Sequence, residues 1–597
     1  MPVGRLPLAL ATAAFCLSFL VLCFANPWTY DGYNWLRDDI PDASSLRSEA
    51  PQNALNKDDF SWDSISPSKD LIWHSCYLNK HCAKLKVPLD YKNSDASLAS
   101  ASIAMVRIHS NVSHESPSYR GPILFNPGGP GGSGVDSMLQ RGALLSTIVG
   151  PEFDLIGFDP RGVGRSVPRV SIYKSRAERA LRMAVDSRFI SLNHSADSLA
   201  RGWARGILDG QLAGERDDGN LRFINTDHTA RDMLRIVEAH GLEKLQYWGF
   251  SYGTVLGATF AAMFPDKVGR LVIDGVVDSE NYYTTDWSDG LIDTENAWMS
   301  FVNGCVAAGR QGCPFFAPTA AEILAKVDDL YASLRARPIP VNTELSSGLV
   351  DFSTLRSKIF LALYSPYATF PTLAQALADL SNGNGTALFT MRAEPAFECA
   401  CDSSEYQFEE IIDAGGAIMC NDGKKISSKY EDLLAHYEEM SGDFKWADMW
   451  EQIRFTCLAW PDFPKDHFQG PFVANTSFPL LMVGNTADPV TPLWAAKKMS
   501  RGFAGSVVLT QDSPGHCSLA APSICTQKHI RRYFLDGILP EPGTVCDVDG
   551  SIFPDPGTNN LEQQAQAILS VSAEDRNLMG TVWELAKSFD IRFPGYL

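Results

Sequence analysis

No Cys-x-x-Cys pair and no His-Glu-x-x-His stretch occurs in the 597 residues. Their absence removes the usual local spacings of structural and catalytic zinc, and neither a metal nor an organic cofactor is expected. Positive charge is scarce as well: 51 Lys+Arg face 70 Asp+Glu, a formal net charge of -19. Such a surface repels phosphate backbones and anionic headgroups, which argues against nucleic acid and anionic membranes as partners. Beyond the N-terminus no run is apolar enough to cross a bilayer, and no internal repeat or low-complexity tract is present. What remains is globular, with 45% hydrophobic and 20% charged residues. A chain of this length holds several domains or one α/β core with insertions.

Arg5 precedes an apolar stretch from Leu6 to Phe24, and Ala25 supplies a small residue suited to cleavage. Residues 1–25 therefore read as a secretory signal peptide, with a retained membrane anchor as the alternative. Cysteine use agrees with export. Of 13 cysteines, Cys16 and Cys23 lie in the leader, and the close pairs Cys76/Cys82, Cys305/Cys313 and Cys517/Cys525 suggest short disulfide loops. Cys399, Cys401, Cys420, Cys457 and Cys546 are not paired from sequence, and the odd count leaves a free thiol. Sequons at Asn111, Asn193, Asn384 and Asn475 suit a secreted glycoprotein.

Residues 26 to about 70 read as an extended lead-in. Strands are expected at Ser102–Ile108, Gly121–Phe125, Phe153–Phe158, Leu245–Trp248, Val268–Val277, Phe478–Gly484 and Ser506–Thr510. Helical spacing runs from Asp227 to His240 after Asn225 and Thr226, closing on Gly241, and again from Thr254 to Met263. This alternation predicts a mostly parallel sheet covered by helices on both faces, an α/β fold. Residues 279–474 carry six of the cysteines and no strand–helix repeat. They read as an inserted helical cap dividing a core of 26–278 and 475–597.

Gly249-Phe250-Ser251-Tyr252-Gly253 joins an apolar strand to a small-residue helix. A serine on a sharp strand-to-helix turn has its Oγ lifted clear of the backbone, which makes Ser251 the candidate nucleophile. It needs a base and an acid, which in this arrangement follow on loops after late strands in the order Ser, acid, His. Asn485-Thr-Ala-Asp488-Pro-Val-Thr-Pro492 follows one such strand and Gln511-Asp-Ser-Pro-Gly-His516-Cys517 the next. Asp488 is thus the expected acid, ahead of Asp274 and Asp278, and His516 the expected base, ahead of His529. The oxyanion donors are expected to be the Tyr252 amide and the Gly129 amide of the loop Gly128–Gly132, with Gly128 as the near alternative.

That loop also contains Gly129-x-Gly131-x-x-Gly134 after a strand, with Asp154 and Asp159 downstream, a dinucleotide fingerprint when read alone. Prolines at 127 and 130 stiffen it, the leader exports the chain, and the turn at Ser251 would be left without a role. A P-loop is absent because no Lys-Ser/Thr follows the glycines.

Five motifs then fall in order: Asn126-Pro-Gly-Gly-Pro-Gly-Gly-Ser-Gly134, Asp159-Pro-Arg-Gly-Val-Gly-Arg-Ser166, Gly249-Phe-Ser-Tyr-Gly-Thr254, Gly484-Asn-Thr-Ala-Asp-Pro-Val-Thr-Pro492 and Gly515-His-Cys-Ser518. From about residue 70 to the C-terminus the chain resembles the tripeptidyl-aminopeptidase-like family, the secreted branch of α/β hydrolases related to prolyl iminopeptidases. The resemblance implies an α/β-hydrolase fold with a helical cap. It also implies a serine exopeptidase releasing short peptides or single residues from free N-termini, with Ser251 as nucleophile, Asp488 as acid and His516 as base. The Asp159–Ser166 turn looks structural in that family. Family peptidases anchor the substrate amine with acidic residues in or near the cap, and no residue here is matched to that role. Glu280, Glu295 and the cluster Glu405, Glu409 and Glu410 stay open, each also reading as an exposed helical carboxylate. The expected partner is a short peptide or small acyl substrate, with an esterase or lactonase as the rival reading and a silent binding module as the remote one. Oligomeric state is not legible.

Overall fold

The computed structural model describes residues 60–93, 99–185, 191–391, 411–553 and 572–588. The leader, most of the lead-in, Cys399, Cys401, Glu405, Glu409 and Glu410 lie outside them. The described strands are β1 (His74–Cys76), β2 (Lys80–Pro88), β3 (Ser100–Ile108), β4 (Gly121–Asn126), β5 (Phe153–Phe158), β6 (Leu245–Phe250), β7 (Val268–Asp274), β8 (Ile339–Asn342), β9 (Ser347–Val350), β10 (Leu481–Ala487), β11 (Val507–Pro514) and β12 (Val545–Cys546). Ten of them form one sheet in the order β1-β2-β3-β5-β4-β6-β7-β10-β11-β12. β1, β2 and β3 pair antiparallel, β3 meets β5 antiparallel, and every pair from β5 to β12 is parallel. This is the α/β-hydrolase fold.

Near-continuous apolar strands are the mark of a sheet buried on both faces, and side-chain alternation divides them between two cores. Leu124, Ile156, Tyr247, Ile273 and Met482 pack on one face against α2 (Thr226–Ala239) and α3 (Tyr252–Met263). Their neighbours Phe125, Leu155, Trp248, Val272 and Val483 pack on the other against α1 (Gly134–Val149), α4 (Ile524–Asp536) and α5 (Ala573–Ser588). The helix expected after Asn225 begins there because the Asn225 side chain accepts from the His228 amide. β10 starts at Leu481 rather than Phe478, since Pro479 has no amide to donate and its carbonyl is taken by Tyr533 Oη at 2.7 Å.

The described residues of 279–474 are mostly helical, with a third core built around Trp298, Phe301, Phe315, Phe360 and Phe370. Two features were not anticipated. β8 and β9 form an antiparallel hairpin inside this stretch. The helix Ser198–Glu215, which precedes β6, also joins this layer. Its Gly206 and Gly210 lie so close to the Phe455 and Leu458 carbonyls that a Cβ would sit 2.4 and 2.0 Å from them.

Disulfides join Cys76–Cys82 and Cys305–Cys313, as expected, and Cys420–Cys457. The expected Cys517–Cys525 pair does not form. Cys525 bonds Cys546, because β12 pairs in parallel with β11 and so brings Cys546 alongside α4, while Cys517 is a buried free thiol. Asn111, Asn193, Asn384 and Asn475 are all exposed. Among the described residues no helix is long and apolar enough to cross a membrane.

The glycine-rich loop and the Asp159 turn explain each other. Gly134 opens α1 against β5 so tightly that a Cβ would meet the Phe158 carbonyl at 2.2 Å. The helix N-terminus, where a dinucleotide would place its pyrophosphate, already holds the buried Asp159 carboxylate, which accepts from Ser133 Oγ at 2.5 Å and the Val135 amide at 3.1 Å. Two residues on, the guanidinium of Arg161 is fully buried and bonds Asp232 of α2 at 2.7 and 2.8 Å and the Leu89 carbonyl at 2.5 Å. Removing one member of a buried pair strands the other's charge, at a cost of about 3–5 kcal/mol. Asp232→Ala should therefore lower unfolding stability by about that amount in chemical denaturation, and an unchanged midpoint would show that Arg161 has another counter-charge.

Candidate active site

Ser251 lies at φ 54°, ψ -123°, between β6 and α3. Positive φ is costly for a residue with a Cβ and persists only where the surroundings impose it. The flanking glycines serve space rather than left-handed backbone. A Cβ on Gly249 would lie 2.4 Å from the Gly253 carbonyl, and one on Gly253 would lie 2.9 Å from the Asn126 carbonyl. The Ser251 amide donates to the Asp274 carbonyl at 3.0 Å, and its own carbonyl accepts from Thr254 Oγ1 at 2.6 Å.

Asp488 and His516 follow β10 and β11 directly and both are fully buried. His516 Nδ1 lies 3.0 Å from each Asp488 oxygen. The same carboxylate accepts from the amides of Val490, Thr491 and Cys517 at 3.0, 2.9 and 2.9 Å and from Thr491 Oγ1 at 2.7 Å. These donors aim the carboxylate at Nδ1. The His516 amide donates to the Tyr364 carbonyl at 2.9 Å, and the Tyr364 ring stands edge-on to the imidazole with centroids 5.3 Å apart. His516 Nε2 is buried with no hydrogen-bond partner among the described residues.

The rival acids are engaged elsewhere. Asp274 accepts from the Ser518 amide at 2.7 Å and Ser518 Oγ at 2.5 Å, and complete burial pushes its carboxyl up to about 6. Asp278 caps the helix Ser279–Tyr283 and pairs with Lys498 at 2.6 Å. His529 lies on α4 and does not line the cleft.

The glycine loop leans on the turn at Ser251: a Cβ on Gly128 would approach Ser251 Cβ to 2.9 Å and the Tyr252 amide to 3.2 Å. The Gly128 amide is already given to Asn126 Oδ1 at 2.9 Å. The Gly129 and Tyr252 amides have no acceptor among the described residues, so of the two loop glycines Gly129 has the free donor.

Gly129, Ser251 and Tyr252 line one cleft, roofed by Trp287, Met419, Trp450 and Ile453 from the helical layer. The walls are largely apolar, but Asp278 and Asp289 both face it. Partial burial and a hydrogen bond shared with Asp278 push the Asp289 carboxyl up to about 6. Nearby Asp286 is neutralised by His436 at 3.1 Å, whose imidazole is raised to about 9 by bonds to Asp286 and Glu451. Asp289 takes no ion pair among the described residues. The sequence candidates fare otherwise. Glu280 pairs with Lys498 at 3.0 Å and Glu295 with Lys445 at 2.7 Å, and neither lines the cleft. Asp289 went unnoticed in the sequence because Trp287-Ser-Asp289-Gly carries no periodic or motif signal. Only the turn of the chain beneath Trp450 brings it to Ser251.

Cys517 sits between the two halves of the site, its thiol 3.4 Å from the Asp274 carbonyl, and burial with the nearby Asp274 and Asp488 charges raises it well above the usual thiol range. It is a packed thiol, not a reactive one.

Two family profiles match the chain. One described as "alpha/beta hydrolase fold" matches residues 121–309, and one described as "TAP-like protein" matches residues 443–546. The chain is similar to Serine protease Hip1 of Mycobacterium tuberculosis, 27% identical over 488 residues, 78% of this chain and 87% of that protein. It is similar to Tripeptidyl aminopeptidase of Streptomyces lividans, 27% identical over 477 residues, 76% of this chain and 81% of that protein. It is also similar to Carboxylesterase B of Mycobacterium tuberculosis, 26% identical over 507 residues, 79% of this chain and 89% of that protein. The resemblance read from the five motifs is borne out by these matches.

Peptide mapping of the native protein under non-reducing conditions should recover Cys525 joined to Cys546. Cys517 should be alkylated only after unfolding; modification of Cys517 in the folded protein would place the thiol at the surface instead of beneath the site.

Proposed function

We propose that this α/β hydrolase is an exported serine exopeptidase that releases short peptides or single residues from free N-termini. The observation that carries the reading is the cleft itself, largely apolar around Ser251 with the carboxyls of Asp278 and Asp289 on its wall. Asp278 is already paired with Lys498, so the wall offers the Asp289 carboxyl, to which an ammonium supplies a counter-charge that a neutral ester end does not. Four disulfides and four exposed sequons support export. The relatives named for peptidase activity support a peptide substrate.

Ser251 Oγ attacks the scissile carbonyl as its proton passes to His516 Nε2, the nitrogen left without a partner. Asp488 holds the proton on Nδ1 and stabilises the imidazolium, and Thr491 holds Asp488. The carbonyl oxygen becomes an oxyanion bound by the Gly129 and Tyr252 amides. Collapse of the tetrahedral intermediate breaks the C–N bond, and the Nε2 proton goes to the leaving amine. Water then attacks the acyl-Ser251 ester, His516 taking its proton and returning one to Oγ as the acid departs. No step calls on another group.

Esterase activity is the second reading, favoured by the apolar roof of the cleft and by the relative named Carboxylesterase B. Free and N-blocked aminoacyl and tripeptidyl anilides, tested beside p-nitrophenyl esters, separate the two. Free-amine anilides alone should turn over, and Ser251→Ala should abolish it. Ester cleavage without anilide turnover would establish the second reading. Thr491→Val removes one hydrogen bond to a charged group, worth about 1.5–3 kcal/mol. It should cut kcat roughly 10- to 100-fold with KM little changed, and Thr491→Ser should restore most of it.

The amine anchor gives a pH signature. A carboxyl raised to about 6 is charged above that pH and neutral below it. KM for free-amine substrates should therefore rise as pH falls through 6, by up to about tenfold per unit. Asp289→Asn should raise KM for free-amine substrates at neutral pH and erase this dependence; an identical profile in that variant would remove Asp289 from the anchor.

A further inference from the structure

At the opposite end of the parallel strands from Ser251, three imidazoles and a carboxylate converge. β3 pairs with β5 so that Ile108 lies opposite Leu155, which sets His109 beside Asp154, and β2 sets His81 opposite Arg107. Alternation puts Arg107, His109, His81 and Asp154 on one face of the sheet. The loop after β3 returns His114 to the same point. His114 Nε2 lies 3.1 and 3.2 Å from the two Asp154 oxygens, and His109 Nδ1 lies 3.9 Å from one of them. Asp154 is buried and fixed by the Ser110 amide at 2.8 Å and Tyr119 Oη at 3.0 Å, while His109 and His114 are partly open to solvent.

We propose that His109, His114 and Asp154 bind a divalent transition-metal ion of the zinc class, with His81 orienting His109. Around a tetrahedral ion with bonds of about 2.0–2.1 Å, neighbouring donor atoms stand roughly 3.3 Å apart. The three donors here are within 4.8 Å of one another, and from one Asp154 oxygen His114 Nε2 stands at 3.2 Å and His109 Nδ1 at 3.9 Å, close to that spacing. His109 Nε2 lies 2.5 Å from His81 Nδ1. With the metal on Nδ1, the Nε2 proton is donated to His81, the outer hydrogen bond by which ligating histidines are oriented. The solvent-open side leaves the fourth position to water. Partial burial and the Arg107 charge lower the proton affinity of His81 and His109, the direction in which a ligating imidazole is favoured. Arg107, 3.7 Å from Asp154 and stacked over Trp73 at 4.4 Å, opposes a second cation and keeps the site weaker than a closed structural one. Imidazole donors exclude calcium and magnesium as the preferred ions. The other grouping of this kind among the described residues, Cys525, His529 and Cys546, is closed to metal because its thiols form a disulfide.

Protein stripped with chelator and desalted, then titrated calorimetrically with zinc chloride, should bind one equivalent with a micromolar or tighter Kd. Calcium and magnesium should give no heat, and cobalt(II) should give the visible bands of a tetrahedral or five-coordinate centre. His109→Ala/His114→Ala should bind at least tenfold more weakly, while its melting temperature without metal and its basal turnover match the parent protein. No zinc binding by the parent protein, or equal stoichiometry and affinity in the double variant, would overturn the site.

Discussion

The end of β7 holds the two halves of the site in register. The Asp274 carbonyl receives the Ser251 amide at 3.0 Å and the Cys517 thiol at 3.4 Å. Its carboxyl receives the Ser518 amide and hydroxyl, at 2.7 and 2.5 Å, and the Trp248 indole at 3.4 Å. One buried residue thus ties the strained turn at Ser251 to the loop that carries His516. Each donor left unpaired in that interior would cost about 1–3 kcal/mol, so the brace is worth more than a surface contact of the same length. Gly275, next along, keeps room for it: a Cβ there would lie 2.4 Å from the Cys517 sulfur.

What the sequence reveals is what is local. Strands β4, β5, β6 and β7 are readable because each is a short apolar run bounded by turn residues. Ser251, Asp488 and His516, the proposed nucleophile, acid and base, are legible as strand-end residues because a parallel sheet delivers all its strand ends to one edge. Asp274 shows the limit of that logic. It too is an acid at a strand end of the same edge, and nothing in its neighbours' identity distinguishes a brace from an orienting acid. The difference is made by Ser518, which reaches Asp274 only once β11 has delivered the loop. The Cys517–Cys525 pairing fails for the same reason. Cys517 and Cys525 are close in sequence, but Cys546 is brought to Cys525 by strand pairing that spacing does not record.

The glycine loop shows how one sequence pattern serves two chemistries. In both, the last glycine lets a helix start close against a strand, and here Gly134 does that for α1 and β5. The two diverge at the helix N-terminus. A nucleotide-binding protein leaves those amides for a phosphate, and this one fills them with Asp159 from the following strand end. The choice is made by a residue 25 positions downstream of Gly134, outside any local pattern.

Register has consequences at the other edge too. The pairing that presents Phe158 and Asp159 to the active edge presents Asp154 to the opposite one, beside His109. From Asp154 to Asp159 the strand spans about 17 Å at its usual rise. An ion at Asp154 therefore cannot touch a substrate at Ser251. Its influence would run through the chain it clamps: β3, β5 and the loop that carries Asn111, the elements on which α1 and the Asp159 cap are built. A metal at this edge would act on how long the active edge survives, not on how fast it turns over.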